Sequence, residues 1–241
     1  MSKRIVSPDS PLRILLLGDS ALTVEFGNVI DPAVNEQVIA FADLVREADW
    51  QGVLDVVPTY RSVTVHVDPF RLDLTTLEDR LLRLSQGAPG RTSTTGTFHR
   101  IPVVYGGEWG PDLDSIAASA KLSREETIRL HGSVDYRVYM LGFSPGFPYM
   151  GLVPAAIVMP RLATPRLSVP AGSVGIADNQ TGIYPTATPG GWRLIGRTPL
   201  ALFRPDRGDP FLLKPGDRVR FEPITAEDFD RIQRNAHADQ H

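Results

Sequence analysis

The chain has 241 residues, 25 Lys and Arg against 28 Asp and Glu, and no cysteine. A formal net charge of −3 leaves no basic excess of the kind a large nucleic-acid footprint needs. The missing cysteine excludes disulfides, thiolate zinc sites and cysteine nucleophiles. Hydrophobic residues at 42% and charged residues at 22% describe an ordinary folded protein, and no run approaches the ~20 apolar residues of a membrane span. The opening MSKRIVSP carries charge but no apolar stretch, so it does not read as a signal peptide. A cytoplasmic globular protein that binds neither nucleic acid nor membrane is expected.

The first third of the chain is periodic. Residues 13–17 read as a strand, Gly18-Asp19-Ser20 as a turn, and 21–26 as a second strand with Leu22, Val24 and Phe26 on one face. Asp31 caps a helix with Pro32 at its first position and Val34, Val38, Phe41 and Val45 at helical spacing. Residues 53–57 and 62–67 read as strands around a Pro58-Thr59-Tyr60 turn, and Leu74, Leu77, Leu81 and Leu84 mark a second amphipathic helix. Small residues dominate 87–98, the expected linker between a 1–86 domain and a 99–241 domain.

The second domain opens with a strand at 99–105 and a helix at 114–120. Ser123 and Glu126 form a capping box for a further helix that ends near His131-Gly132, and 136–141 reads as a strand. Within residues 142–216, 23 of 75 positions are Gly or Pro, a density that can signal disorder. Phe143, Phe147, Tyr149, Tyr184 and Trp192 are interleaved there with Val, Ile and Leu, which argues for short strands and tight turns instead. A strand at 218–221, a helix at 226–233 and a frayed tail at 235–241 close the chain.

Two hydrolase motifs fail on physical grounds. Leu17-Gly18-Asp19-Ser20 looks like the nucleophile block of an esterase class that also needs an Asp three residues before a His. None of the five histidines has an acid there. Gly142-Phe143-Ser144-Pro145-Gly146 matches Gly-x-Ser-x-Gly, but the oxyanion donor would be the amide of Pro145, which has none. There is also no phosphate-loop motif and no His-Glu-x-x-His, so no metal ligands are read.

The informative segments are loops. Gly permits close backbone approach, Pro fixes loop shape, and aromatics add flat apolar walls. Phe143, Gly146, Phe147, Tyr149, Arg166, Gln180, Tyr184, Gly190, Gly191, Trp192 and Arg197 are the candidate substrate-binding residues. The two arginines suit a carboxylate or phosphate. The aromatics could equally fill a barrel interior. His131, at a helix end, is the candidate catalytic residue, because histidine titrates near neutrality; it could equally serve the helix dipole. Glu108 and Asp112 read as turn and cap residues.

Tyr105-Gly106-Gly107-Glu108, the 142–149 loop, Pro165-Arg166, Val169-Pro170-Ala171-Gly172-Ser173-Val174, Pro189-Gly190-Gly191-Trp192 and Gly196-Arg197-Thr198-Pro199 together resemble the KipI family, also called the 5-oxoprolinase B subunit or allophanate hydrolase subunit 1. The resemblance runs from Asp19 to about Ile224. It implies an α+β fold, with a small N-terminal domain followed by a cyclophilin-like β-barrel. It also implies one subunit of an ATP-dependent 5-oxoprolinase, acting with the A and C subunits on a small-molecule substrate. Two alternatives follow from the same resemblance: a regulatory module that inhibits a sensor histidine kinase, or a carboxyltransferase-type component of urea or allophanate metabolism.

Overall fold

In the computed structural model, which describes residues 4–5, 12–86 and 96–238, the chain divides into two units, Met1–Thr95 and Gly96–His241. The first contains β1 (Arg4–Ile5), β2 (Arg13–Leu16), β3 (Ala21–Glu25), α1 (Pro32–Glu47), β4 (Val53–Pro58), β5 (Ser62–Val67) and α2 (Leu74–Gln86). Its strands form one antiparallel sheet in the order β1-β2-β3-β5-β4. Alternation in β5 sends Val63, Val65 and Val67 inward, each at most 1% exposed, onto Phe41, Val45, Leu77 and Leu81 of the helices. Asp31 caps α1 as expected, its Oδ1 accepting from the amides of Ala33 and Val34 at 2.8 and 3.2 Å. Gly18-Asp19-Ser20 is the hairpin turn between β2 and β3, with Gly18 at φ +68°. Pro58, expected in a turn, ends β4 instead. That strand is the sheet edge, where a residue without N–H is tolerated. Residues 87–95 of the expected linker lie outside the described residues.

The second unit contains β6 (Phe98–Tyr105), α3 (Leu113–Ala120), α4 (Arg124–Gly132), β7 (Tyr136–Leu141), β8 (Pro148–Gly151), a 3₁₀ turn (Ala155–Ile157), β9 (Arg166–Val169), β10 (Ser173–Ala177), β11 (Gln180–Ile183), β12 (Thr188–Gly190), β13 (Arg193–Arg197), β14 (Arg218–Pro223) and α5 (Ala226–Ala238). Seven strands close a barrel in the order β10-β11-β8-β7-β14-β6-β13, sealed by β13 against β10. The β6–β14 pairing is parallel and joins residues 98–103 to 218–223. Buried Asp217 fastens that seam, accepting from the amides of Thr97 and Lys214 at 2.8 and 2.9 Å and contacting His99 Nε2 at 3.0 Å. Ile101, Val103, Val138, Met150, Ile176 and Ile195 fill the barrel, and β9 and β12 form a separate two-stranded sheet.

The Gly/Pro-rich stretch is therefore ordered strand and turn, as its aromatics indicated. The capping box on α4 is present in both directions: Glu126 N–H donates to Ser123 Oγ at 3.1 Å and Ser123 N–H donates to Glu126 Oε2 at 2.8 Å. The terminal helix runs to Ala238, beyond the expected end at 233, so most of the expected tail is helical; residues 239–241 lie outside the described residues. No described helix is long and apolar enough to cross a membrane.

Candidate functional site

The loop from β7 to β8 turns on two left-handed residues, Phe143 at φ +63° and Gly146 at φ +81°. For phenylalanine that conformation is strained, and such strain gathers at functional loops. The Gly142 amide donates to the Phe147 carbonyl at 3.1 Å and closes the loop, which leaves Phe143 62% exposed and Phe147 buried. Phe147 meets Tyr149, Tyr184 and Trp192 edge-on, with ring centroids 5.0, 5.2 and 5.3 Å away. Glycine is required where these rings crowd the backbone. A Cβ on Gly182 would lie 2.9 Å from the Phe147 ring, and one on Gly190 would lie 2.4 Å from Tyr184 Oη. Phe147, Tyr184 and Trp192 are buried, so they form the floor of the site; Phe143 and the half-buried Tyr149 form its open side.

Two arginines border these rings. Arg166, the first residue of β9, sits 2.9 Å from the Asp112 carboxylate and donates to the Trp192 carbonyl at 3.4 Å. Asp112 is itself nearly buried, and its Oδ2 accepts from the Leu194 amide at 2.7 Å. One carboxylate thus ties β9 to β13 and fixes the guanidinium. Arg161 is exposed and makes no ion pair with a described residue. Burial raises the hydroxyls of Tyr149 and Tyr184 above the usual tyrosine value, while the positive charge of Arg161 pulls both back down. Arg161 thus lies within electrostatic reach of both phenols at the edge of the aromatic cluster, where its charge could meet a small anionic molecule.

His131 lies elsewhere. It sits on α4 with its ring 0% exposed and stacked on Phe221 at 4.5 Å. Thr181 donates its hydroxyl to the Gly175 carbonyl at 3.0 Å, so its oxygen accepts from His131 Nε2–H, also at 3.0 Å. Nδ1 then accepts from the Tyr105 hydroxyl at 2.8 Å. Burial alone lowers the imidazole to about 3, and desolvation, with Tyr136 beside it, pushes the partly buried Tyr105 well above the usual tyrosine value. The ring is neutral, satisfied at both nitrogens and sealed from solvent. This geometry gives no support to the expected catalytic role; it describes a hydrogen-bond junction of the core.

The structure brings together Phe143, Gly146, Phe147, Tyr149, Arg166, Tyr184, Gly190, Gly191 and Trp192 from the expected set. Gln180 opens β11 opposite Gly151, outside that aromatic cluster. Arg197 donates its Nε–H to the Ala171 carbonyl at 2.7 Å and lines a different cavity. Sequence reasoning missed Arg161, whose only signal is its place five residues before Arg166; it read Asp112 as a turn and cap residue, and Asp112 does stand at the N-cap of α3, but its side chain serves Arg166 and Leu194 instead of the helix. Ser144 Oγ is buried and has no hydrogen-bond partner among the described residues, so no base activates it. Among the described residues no group of three or more His, Asp and Glu could hold a metal ion.

Comparison with known proteins matches this architecture to a defined class. The carboxyltransferase domain, subdomains C and D, matches residues 12–213, a span that takes in most of both units, including the β9–β12 sheet. The chain belongs to the family of 5-oxoprolinase B subunits within that class. It is 44% identical to the 5-oxoprolinase B subunit of Bacillus subtilis (strain 168) over 88% of this chain and 93% of that protein. It is 45% identical to the Escherichia coli O157:H7 protein of the same name, over 88% and 95% of the two chains. The crystal structure of TTHA0988 superposes with a TM-score of 0.77 at 40% identity, covering 86% of this chain and 40% of that longer one.

Proposed function

We propose that the chain is the B subunit of a cytoplasmic, ATP-dependent 5-oxoprolinase, which opens 5-oxoproline to glutamate together with the A and C subunits. The observation that carries this reading is the 44% identity to a 5-oxoprolinase B subunit across 93% of that protein's length. The site supports it. The substrate is a small flat ring with one carboxylate, a match for a phenol-and-aromatic floor near Arg161, which pairs with no described carboxylate. Arg166 is positioned by Asp112, and its charge is partly neutralised there. Arg161 is therefore the residue assigned to the substrate carboxylate.

A lactam carbonyl is a poor electrophile. Transfer of the γ-phosphoryl group of ATP to the lactam oxygen releases ADP and activates the carbon. Water then adds, the C–N bond breaks, and a second water displaces phosphate to leave glutamate. The chain carries no phosphate-loop motif, and TTHA0988 holds the aligned region as 40% of a longer chain. Both points favour a subunit that works beside other protein. The test is reconstitution. The purified chain alone is expected to release no glutamate from 5-oxoproline and ATP, and the mixture with the A and C subunits is expected to do so. Turnover by the chain alone refutes the shared site, and an inactive, well-assembled mixture refutes the substrate. A second reading, a carboxyltransferase-type component of urea or allophanate metabolism, draws on the family match over residues 12–213. ATP consumption that depends on urea, and not on 5-oxoproline, would favour it.

A further inference from the structure

A second depression lies in the barrel unit, behind the loop that carries Gly146: a Cβ there would lie 3.2 Å from Phe211 of its wall. It consists of two adjoining cavities of about 180 and 270 Å³ that share Leu200, Ala201 and Arg204 as walls. Arg197 lines the smaller and Arg207 the larger, so three arginines line two cavities that share a wall. The backbone shapes its narrow end. Gly172 stands at φ +81° with Thr198 so close that a Cβ would lie 2.4 Å from the Thr198 carbonyl, which holds the 171–172 turn against the segment after β13. Arg197 is anchored through Nε to the Ala171 carbonyl, and its terminal nitrogens make no hydrogen bond with a described residue.

Arg204 and Arg207 form no ion pair with a described residue. Asp209 also lines the larger cavity, but its carboxylate is held by Lys214 at 2.5 Å, and Asp206 is a single exposed carboxylate. Three clustered cations repel one another, and the protein as a whole carries a net charge of −3, so general basicity does not explain the cluster. Guanidinium forks match the oxygens of phosphate in bidentate fashion. Leu200, Phe211 and Leu212 supply an apolar wall beside them.

We infer that this depression binds a phosphate-bearing small molecule, with Arg197, Arg204 and Arg207 on the phosphates. The inference goes beyond the proposed function and needs no turnover to be tested. Calorimetric titration of the full chain at low salt with inorganic tripolyphosphate, ATP and adenosine reads it directly. Tripolyphosphate is expected to bind. The Arg204→Ser/Arg207→Ser variant should bind at least about tenfold more weakly, and salt on the order of 0.5 M should weaken binding similarly. Arg83→Ser, in the other unit, should change nothing. Should the double variant melt early, Arg207→Glu at an exposed position gives the same reading. ATP binding at least about tenfold tighter than tripolyphosphate marks a nucleotide as the ligand, and equal affinities mark the phosphate group alone. Absence of binding to the wild-type chain, or binding unchanged in the arginine variants, overturns the inference.

Discussion

Two polar centres in the barrel unit are built on opposite terms. At His131 every hydrogen-bonding atom is met, solvent is absent and the ring is held neutral. At the aromatic floor the rings are packed just as tightly, but Phe143 is 62% exposed on a strained backbone and Arg161 stands without an ion partner among the described residues. The histidine has the stronger pKa perturbation of the two, yet burial alone produces it. Perturbation points to chemistry when a charge partner and an opening accompany it. By that measure the tyrosines near Arg161 make the stronger candidate site, and the geometry of the histidine offers no opening for chemistry.

The contrast can be broken by mutation. His131→Ala removes a ring stacked in the core and leaves the Tyr105 hydroxyl without its acceptor, so it should cost about 3–5 kcal/mol of stability. Chemical denaturation reads that cost; a stable variant that lost turnover would reverse the assignment. Protonation tests the same point. The unfolded chain takes up a proton near pH 6.5 that the native ring refuses until about 3. The His131 contribution is therefore complete above pH 6.5 and is lost as pH falls between those values. The slope is up to about 1.4 kcal/mol per pH unit. The His131→Ala protein should show a flatter acid limb.

Asp112→Ala tests the link between the floor and Arg166. It leaves a half-buried guanidinium without its carboxylate and the Leu194 amide without its acceptor, for an expected loss of about 2–4 kcal/mol. Phe143→Gly should relieve the positive φ and raise stability by up to about 1 kcal/mol, while the KM for 5-oxoproline rises; a fall in both stability and KM would contradict the loop's role. Ser144→Ala is the smallest effect. It deletes a buried hydroxyl that has no partner, so stability should change by less than about 1 kcal/mol and turnover by less than about threefold. A collapse of turnover there, or labelling of Ser144 by a fluorophosphonate, would revive the hydrolase motif.

What could be read from the sequence was local. The hairpin at Gly18, the Asp31 cap, the capping box on α4 and the alternation of β5 each depend on residues within a few positions of one another. So does the loop geometry set by Gly146. The missed features are pairings across the chain. Asp112 meets Arg166 from 54 positions away, and Asp217 closes the seam to Thr97 from 120. His131 looked catalytic because its helix end and its titration range were visible, whereas the Tyr105, Thr181 and Phe221 that enclose it come from three separate strands. Arg161 and Arg166 sit five residues apart in one Pro-rich segment, and only the fold shows that a carboxylate engages Arg166 while no described carboxylate engages Arg161.

The KM for 5-oxoproline of the reconstituted complex carrying Arg161→Ala tests the central claim most directly. Arg161 is exposed and bonds to no described carboxylate, so the melting temperature should stay the same. Loss of a charge-assisted contact of about 1.5–3 kcal/mol should raise KM roughly tenfold to hundredfold at similar kcat. An unchanged KM in a well-folded complex would contradict the assignment of Arg161 to the substrate carboxylate.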